Sequence, residues 1–249
     1  GSFNESAYAG VQRFENDFKT KVREFELDRD AQSLQALRNF ANRGHEPVVA
    51  IGFNQASSVT QAAKEFPDTS FAIVDMVVDA PNVASYVFKE NEGAYIAGLL
   101  AAMATKTGTV GFVGGMDIPI IRRFLCGYQL GAASVNSDIK VLYNMAGTTP
   151  AAFADPARGA ELARSQIGRG ADVIIQAAGG TGIGVLQAVA DAGVLGIGTD
   201  SNQNGLHPGS VLTSMLKRVD VAVYEAFDAA ATGIRESSNE LVELRSHGQ

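Results

Sequence analysis

Along the chain, apolar positions recur at two spacings, and the two spacings alternate. Between residues 6 and 22, Ala7, Val11, Phe14, Phe18 and Val22 fall at steps of three or four, the stripe of one helix. A second helical stretch runs through Leu34, Leu37 and Phe40, and "GHEPVVAIGF" then supplies a breaker and a short apolar strand. A helix over 56 to 66, strands in "SFAIVD" and "NVASYVF", and the Ala-rich helix "NEGAYIAGLLAAMA" follow. From Lys106 the alternation restarts: strand "TVGFVGG", helix "IPIIRRFLCGYQLGAASV", strand "IKVLYNMAG", helix "DPARGAELARSQIGRG", strand "ADVIIQAAGG", helix "TGIGVLQAVADAG", strand "VLGIGTD". A last strand, "SVLTSMLKR", and helix, "VDVAVYEAFDAAATG", end the pattern, and the tail after Gly233 is polar and weakly patterned.

Strands that are apolar throughout are buried on both faces, which calls for parallel sheets flanked by helices, an α/β fold. Two runs of βα units predict two doubly wound lobes with the seam at "TKTG", residues 105 to 108. If the last unit crosses back, residues 1 to 106 with 210 to 249 form one lobe and 107 to 209 the other, leaving a ligand cleft between them.

Composition narrows the function. The net charge of -7 argues against nucleic acid and against an anionic membrane surface, both of which require clustered Lys and Arg. Cys126 is the single cysteine, so an internal disulfide and a cysteine-built metal site are excluded, and its helical context predicts a buried, inert thiol. No run approaches the roughly 18 apolar residues of a membrane span, and no charged-then-apolar leader precedes Phe3.

Ligands of doubly wound sheets sit beyond the carboxyl ends of the strands. Those ends are Phe53 and Asn54, Asp75, Gly114 to Asp117, Ala146 and Gly147, Gly179 to Thr181, and Asp200. Asp75 and Asp200 each close an apolar run; buried carboxylates need hydroxyls, amides or a cation, and capping or structural pairing is the plainer alternative. The glycines of "VIIQAAGGTGIGV" suggest a phosphate loop, but the spacing fails: G-x-G-x-x-G begun at Gly180 meets Val185, and begun at Gly182 meets Gln187. No glycine precedes a Lys-Ser or Lys-Thr pair, and His45, His207 and His247 are scattered, with no hydrolase or metalloprotease motif around them. An enzyme is disfavoured.

Together "SFNESAYAG", "PDTSFAIVD", "NVASYVFKENEGAYIAGLLAAMATKTGTVGFVGGMDIPII", "GADVIIQAAGGTGIGV", "GTDSNQ" and "VLTSMLKRVD" resemble the basic membrane protein family, the extracytoplasmic solute-binding proteins of ABC importers related to purine nucleoside receptors. The resemblance runs from Ser2 to about Gly233 and implies the periplasmic-binding-protein type I fold, two α/β lobes closing on a nucleoside. It implies that Phe3 stacks on the base and that Asn4 offers an amide, with helix capping as the alternative. Asp75 would line the first lobe's side. Met116 and Asp117 would line a strand end, and Phe153 would face the base from the other lobe or pack in the core. Gly179, Gly180 and Thr181 would bring backbone close to the sugar, Asp200 would accept both ribose hydroxyls, and Lys217 would donate to the sugar or hold the Asp200 charge. No cofactor is implied.

The implied partners are a nucleoside and an ABC permease, with no nucleic acid. The expected state is a monomer in the periplasm or on the outer face of the cytoplasmic membrane, tied to membrane only through an N-terminal lipid anchor absent from this chain. Family members place a strand and an acidic loop before the Ser-Phe-Asn motif, so the first strand is expected to be missing here. A ligand-sensing regulatory domain of the same fold and a nucleoside-processing enzyme are the alternatives.

Overall fold

The computed structural model describes residues 2 to 232; the polar tail after Gly233, His247 included, lies outside the described residues. In chain order the elements are α1 (Ser2–Phe18), α2 (Ser33–Asn42), β1 (Val48–Ile51), α3 (Ala56–Glu65), β2 (Phe71–Val74), β3 (Val83–Tyr86), α4 (Glu90–Ala104), β4 (Thr109–Met116), α5 (Pro119–Val135), β5 (Lys140–Gly147), α6 (Pro156–Gly168), β6 (Val173–Ala177), α7 (Thr181–Asp191), β7 (Leu195–Asp200), β8 (Val211–Leu216) and α8 (Val219–Ala231). Short 3-10 turns at Asp30–Gln32, Phe53–Gln55 and Pro150–Phe153 complete them. Each helix and strand read from periodicity is present. The first helix stops at Phe18 rather than Val22, because past Phe14 the stripe no longer meets a core and Phe18 is exposed.

Two compact units divide the chain: Gly1–Phe3 with Glu90–Lys217, and Asn4–Lys89 with Arg218–Gln249. The boundaries therefore fall at 89/90 and 217/218, not at 106/107 and 209/210. Two contacts move them. α4 lies on α5 with backbones touching: a Cβ on Gly98 would sit 2.1 Å from the Tyr128 carbonyl oxygen, and one on Gly131 would sit 1.9 Å from that of Tyr95. β8 is the fifth strand of the sheet that holds β7, and only α8 passes to the other unit. The "TKTG" turn is an internal connection, held by Asp172, whose carboxylate accepts from the Lys106 and Thr107 N–H groups at 2.7 and 3.1 Å.

The smaller sheet is parallel, in the order β1-β2-β3, and its core gathers Leu37, Val48, Val59, Phe71 and Ile73 under α2 and α3. In the same unit α1 meets α8 through Phe14, Tyr224 and Phe227, and Gly10 lets the helices touch, since a Cβ there would lie 2.3 Å from the Asp220 carbonyl oxygen.

The larger sheet is parallel in the order β5-β4-β6-β7-β8. Its central strands are dry: Val173, Ile174 and Ile175 of β6 are fully buried, each contributing about 1.5 to 3 kcal/mol relative to exposure. On α5 the buried face carries Ile120, Ile121, Phe124, Leu125 and Tyr128. Cys126 lies between those positions and is exposed, which corrects the expectation of a buried thiol. Among the described residues no helix is long and apolar enough to cross a membrane.

Candidate functional site

The strand order of the larger sheet sets where a ligand can approach. From β4 the chain moves to one side for β5 and to the other for β6, so the crevice at which a doubly wound sheet opens falls beyond the ends of β4 and β6. Met116 ends β4 and Asp117 follows it, and Gly179, Gly180 and Thr181 follow β6. The Phe153 ring lies on the end of β4, where a Cβ on Gly115 would come within 2.2 Å of its Cε1. Phe153 is half-buried and also packs against the core cluster that includes Phe112 and Phe124.

The glycines after β6 answer packing demands. Gly179 has φ 56°, a left-handed conformation that side chains rarely adopt. A Cβ on Gly182 would meet Gln176 Oε1 at 2.0 Å, and one on Gly184 would meet the Pro156 carbonyl oxygen at 1.8 Å. Thr181 is buried: its hydroxyl donates to the Ala152 carbonyl and accepts from the Asp155 N–H, both at 2.7 Å. The N–H groups of Thr181, Gly182 and Ile183 donate to the carbonyls of Ala178, Gly179 and Gly180. The first N–H groups of α7 are thus engaged within their own turn, and the Thr181 hydroxyl ties that turn to the segment before α6.

Asp200 closes β7 with φ 71°, and Asp75 follows β2 in the other unit with φ 74°. Aspartate enters this region more readily than most residues, yet it costs energy at a strand end, and such outliers concentrate at functional sites. Both are half-buried. Asn4, also in the Asn4–Lys89 unit, is exposed on the first turn of α1; that helix begins at Ser2, so Asn4 is not its cap. Asp117 is exposed and held by Arg122 through two bonds of 2.5 Å, and this guanidinium keeps its carboxyl below the usual range.

Lys217 follows β8, beside Asp200. It is 3% exposed, with Nζ 3.3 Å from Glu90 Oε1, 5.5 Å from the centroid of the Phe3 ring and 5.8 Å from that of Phe124. Six candidates, Phe3, Met116, Asp117, Phe153, Asp200 and Lys217, thus share one unit with the glycine loop.

Sequence reading missed the polar residues that hold these ends. Gln176 and Gln203 are buried and joined by a 2.8 Å bond; Gln176 Oε1 accepts from the Ala178 N–H and Gln203 Oε1 from the Thr199 N–H. The Thr199 hydroxyl donates to the Gln176 carbonyl. This network ties the end of β6 to the end of β7 immediately before Asp200, and a satisfied buried network of this kind fixes geometry. Among the described residues no group of three His, Cys, Asp or Glu could hold a metal ion.

Comparison with known proteins agrees with this architecture. The family described as "ABC transporter substrate-binding protein PnrA-like" (Bmp) matches residues 1 to 243. An ABC transporter nucleoside-binding protein, BmpA, of Lactococcus lactis is 37% identical, covering 93% of this chain and 71% of its own length. Basic membrane protein D of Borreliella burgdorferi is 32% identical, covering 89% of this chain and 65% of its own. A crystal structure of an ABC transporter solute-binding protein from Aeropyrum pernix superposes with a TM-score of 0.85 at 30% identity, covering 93% of this chain and 67% of that one. The chain therefore belongs to the Bmp family: it is a substrate-binding protein of an ABC transporter, not an enzyme, and it has the periplasmic-binding-protein type I fold.

Proposed function

We propose that this protein is the extracytoplasmic receptor of an ABC importer and that its ligand is a purine nucleoside, received at the carboxyl edge of the larger sheet. The observation that carries the reading is the pairing, at adjoining strand ends, of a half-buried carboxylate in a left-handed conformation, Asp200, with a buried cation, Lys217, that faces an aromatic ring, Phe3. A carboxylate suits two ribose hydroxyls, because one ionised group accepts two charge-assisted bonds, and a flat ring suits any purine face. The similarity to the nucleoside-binding protein BmpA of Lactococcus lactis supports the same ligand class.

In this reading Phe3 and Phe153 contact the base, and Gly179 and Gly180 bring backbone to the sugar. Met116, Asp117, Asn4 and Asp75 are further contacts. The partner is the transporter's permease, and the protein acts as a monomer in the periplasm or on the outer face of the membrane, where an N-terminal lipid would anchor it.

Mass spectrometry of ligand released from the purified protein, with calorimetry against inosine, adenosine, guanosine and free adenine, tests the proposal. Nucleosides binding well above the free base is the expected result. Equal binding of adenine and adenosine, or a released ligand with no sugar, would overturn it.

A further inference from the structure

The chain passes between its two units at three points, 3/4, 89/90 and 217/218. The residues that stand on the larger-sheet side of those points are Phe3, Glu90 and Lys217, and they form one cluster. Glu90, the first residue of α4, is 0% exposed. One of its carboxylate oxygens lies 3.3 Å from Lys217 Nζ, and the other accepts from Arg123 Nε at 2.9 Å. Arg123 reaches in from α5 with a side chain 44% exposed, and Lys217 in turn lies against the Phe3 ring.

An acidic residue at a helix start is ordinarily a solvated complement to the helix dipole. Glu90 departs from that by being fully buried, and a buried ion pair is a poor device for stability alone, because desolvation offsets the attraction and apolar replacements of both partners are often as stable. What such a pair does supply is fixed geometry. A lysine carries its charge on a flexible four-carbon stem and turns toward solvent unless a counter-charge holds it. Glu90 is itself held by Arg123, and α4 is seated on α5 by the backbone contacts at Gly98, Gly127 and Gly131.

We propose that Glu90 is a positioning residue for ligand binding: its buried carboxylate holds the Lys217 ammonium at the end of β8, against Phe3 and next to Asp200, and so sets the surface on which the ligand rests. The proposal rests on the nucleoside reading above and names a residue outside the contact set given there.

The test is calorimetry with inosine on the parent, Glu90→Gln, Lys217→Met and the double variant, with thermal unfolding of each recorded without ligand. Lys217→Met and Glu90→Gln are each expected to weaken binding about tenfold, and the double variant to be no weaker than Lys217→Met alone, the signature of two residues acting through one contact. Glu90→Asp keeps the charge but withdraws it by one methylene, so it guards against a Gln variant that fails to fold; it is expected to lose affinity by about threefold or more. Parent affinity in Glu90→Gln or Glu90→Asp with a lowered unfolding temperature would make Glu90 purely structural and overturn the proposal. Fully additive losses in the double variant would overturn it too. If Lys217→Met and Phe3→Ala both bind inosine as the parent does, the nucleoside reading of this edge fails and the proposal falls with it; a silent Lys217→Met separates that outcome from the others.

Discussion

The backbone N–H of Lys217 donates to the carbonyl oxygen of Asp200 at 2.9 Å. That bond continues the β7–β8 ladder by one step, since Asp200 is already in register with Leu216. A carboxylate and an ammonium are thereby placed on neighbouring strand ends by the sheet itself, the most rigid support the fold offers.

Asp200→Asn separates the charge of this residue from its backbone, because asparagine also tolerates a left-handed conformation. Loss of a charge-assisted contact is worth about 1.5 to 3 kcal/mol, so inosine affinity is expected to fall roughly ten- to a hundredfold. The unliganded unfolding temperature should hardly change. Calorimetry and a thermal melt check both halves, and affinity retained within experimental scatter removes Asp200 from the sugar.

Phe3→Ala tests the stacking face. Stacking on an aromatic ring is worth roughly 1 to 3 kcal/mol and is indifferent to the edge of the base, so inosine, adenosine and guanosine should weaken by similar factors. Titration of the three in parallel decides it; loss confined to one nucleoside would show that Phe3 reads edge chemistry instead.

Gly131→Ala tests the seating of α4 on α5. The added methyl would lie 1.9 Å from the Tyr95 carbonyl oxygen, so one helix must shift. Overpacking of this sort costs about 1 to 3 kcal/mol, which denaturant unfolding resolves. A variant as stable as the parent would show that the two helices separate without penalty.

Arg38 on α2 pairs with Glu65 on α3 through two bonds of 2.6 Å and lowers the Glu65 carboxyl from an ordinary 4.5 to about 2. A carboxyl whose folded value is depressed stabilises the fold above its unfolded value and loses that contribution as pH falls toward the folded one. Between pH 4.5 and about 2 the parent should therefore lose stability more steeply than Glu65→Gln. Unfolding temperatures across that window give the comparison, and parallel slopes would mean that the pair is broken in solution.

The order and kind of the elements were legible in the sequence because burial imposes its period directly: all-apolar runs such as "FAIV" and "VII" can only be central strands, and the stripes of α2, α3 and α5 can only be helices with one wet face. The strand-end rule also located Asp75, Asp200 and the glycine loop before any coordinates, since it depends on chain direction alone. Tertiary contacts decided the rest. Whether α4 belongs with the strands before it or after it depends on backbone contact with a helix roughly 35 residues away, and local periodicity holds no trace of such contact. Cys126 sits in an apolar stretch yet faces outward, because helix phase is set by the partner surface. Gly182 and Gly184 of α7 owe their identity to packing, because the chain's own Gln176 and Pro156 occupy the space that their missing side chains leave. Glu90, Gln176 and Gln203 carry no local sign of their roles; only folding brings a lysine and an arginine to Glu90 and joins Gln176 to Gln203, because their partners are distant in sequence and a charge or amide is buried only where such a partner waits.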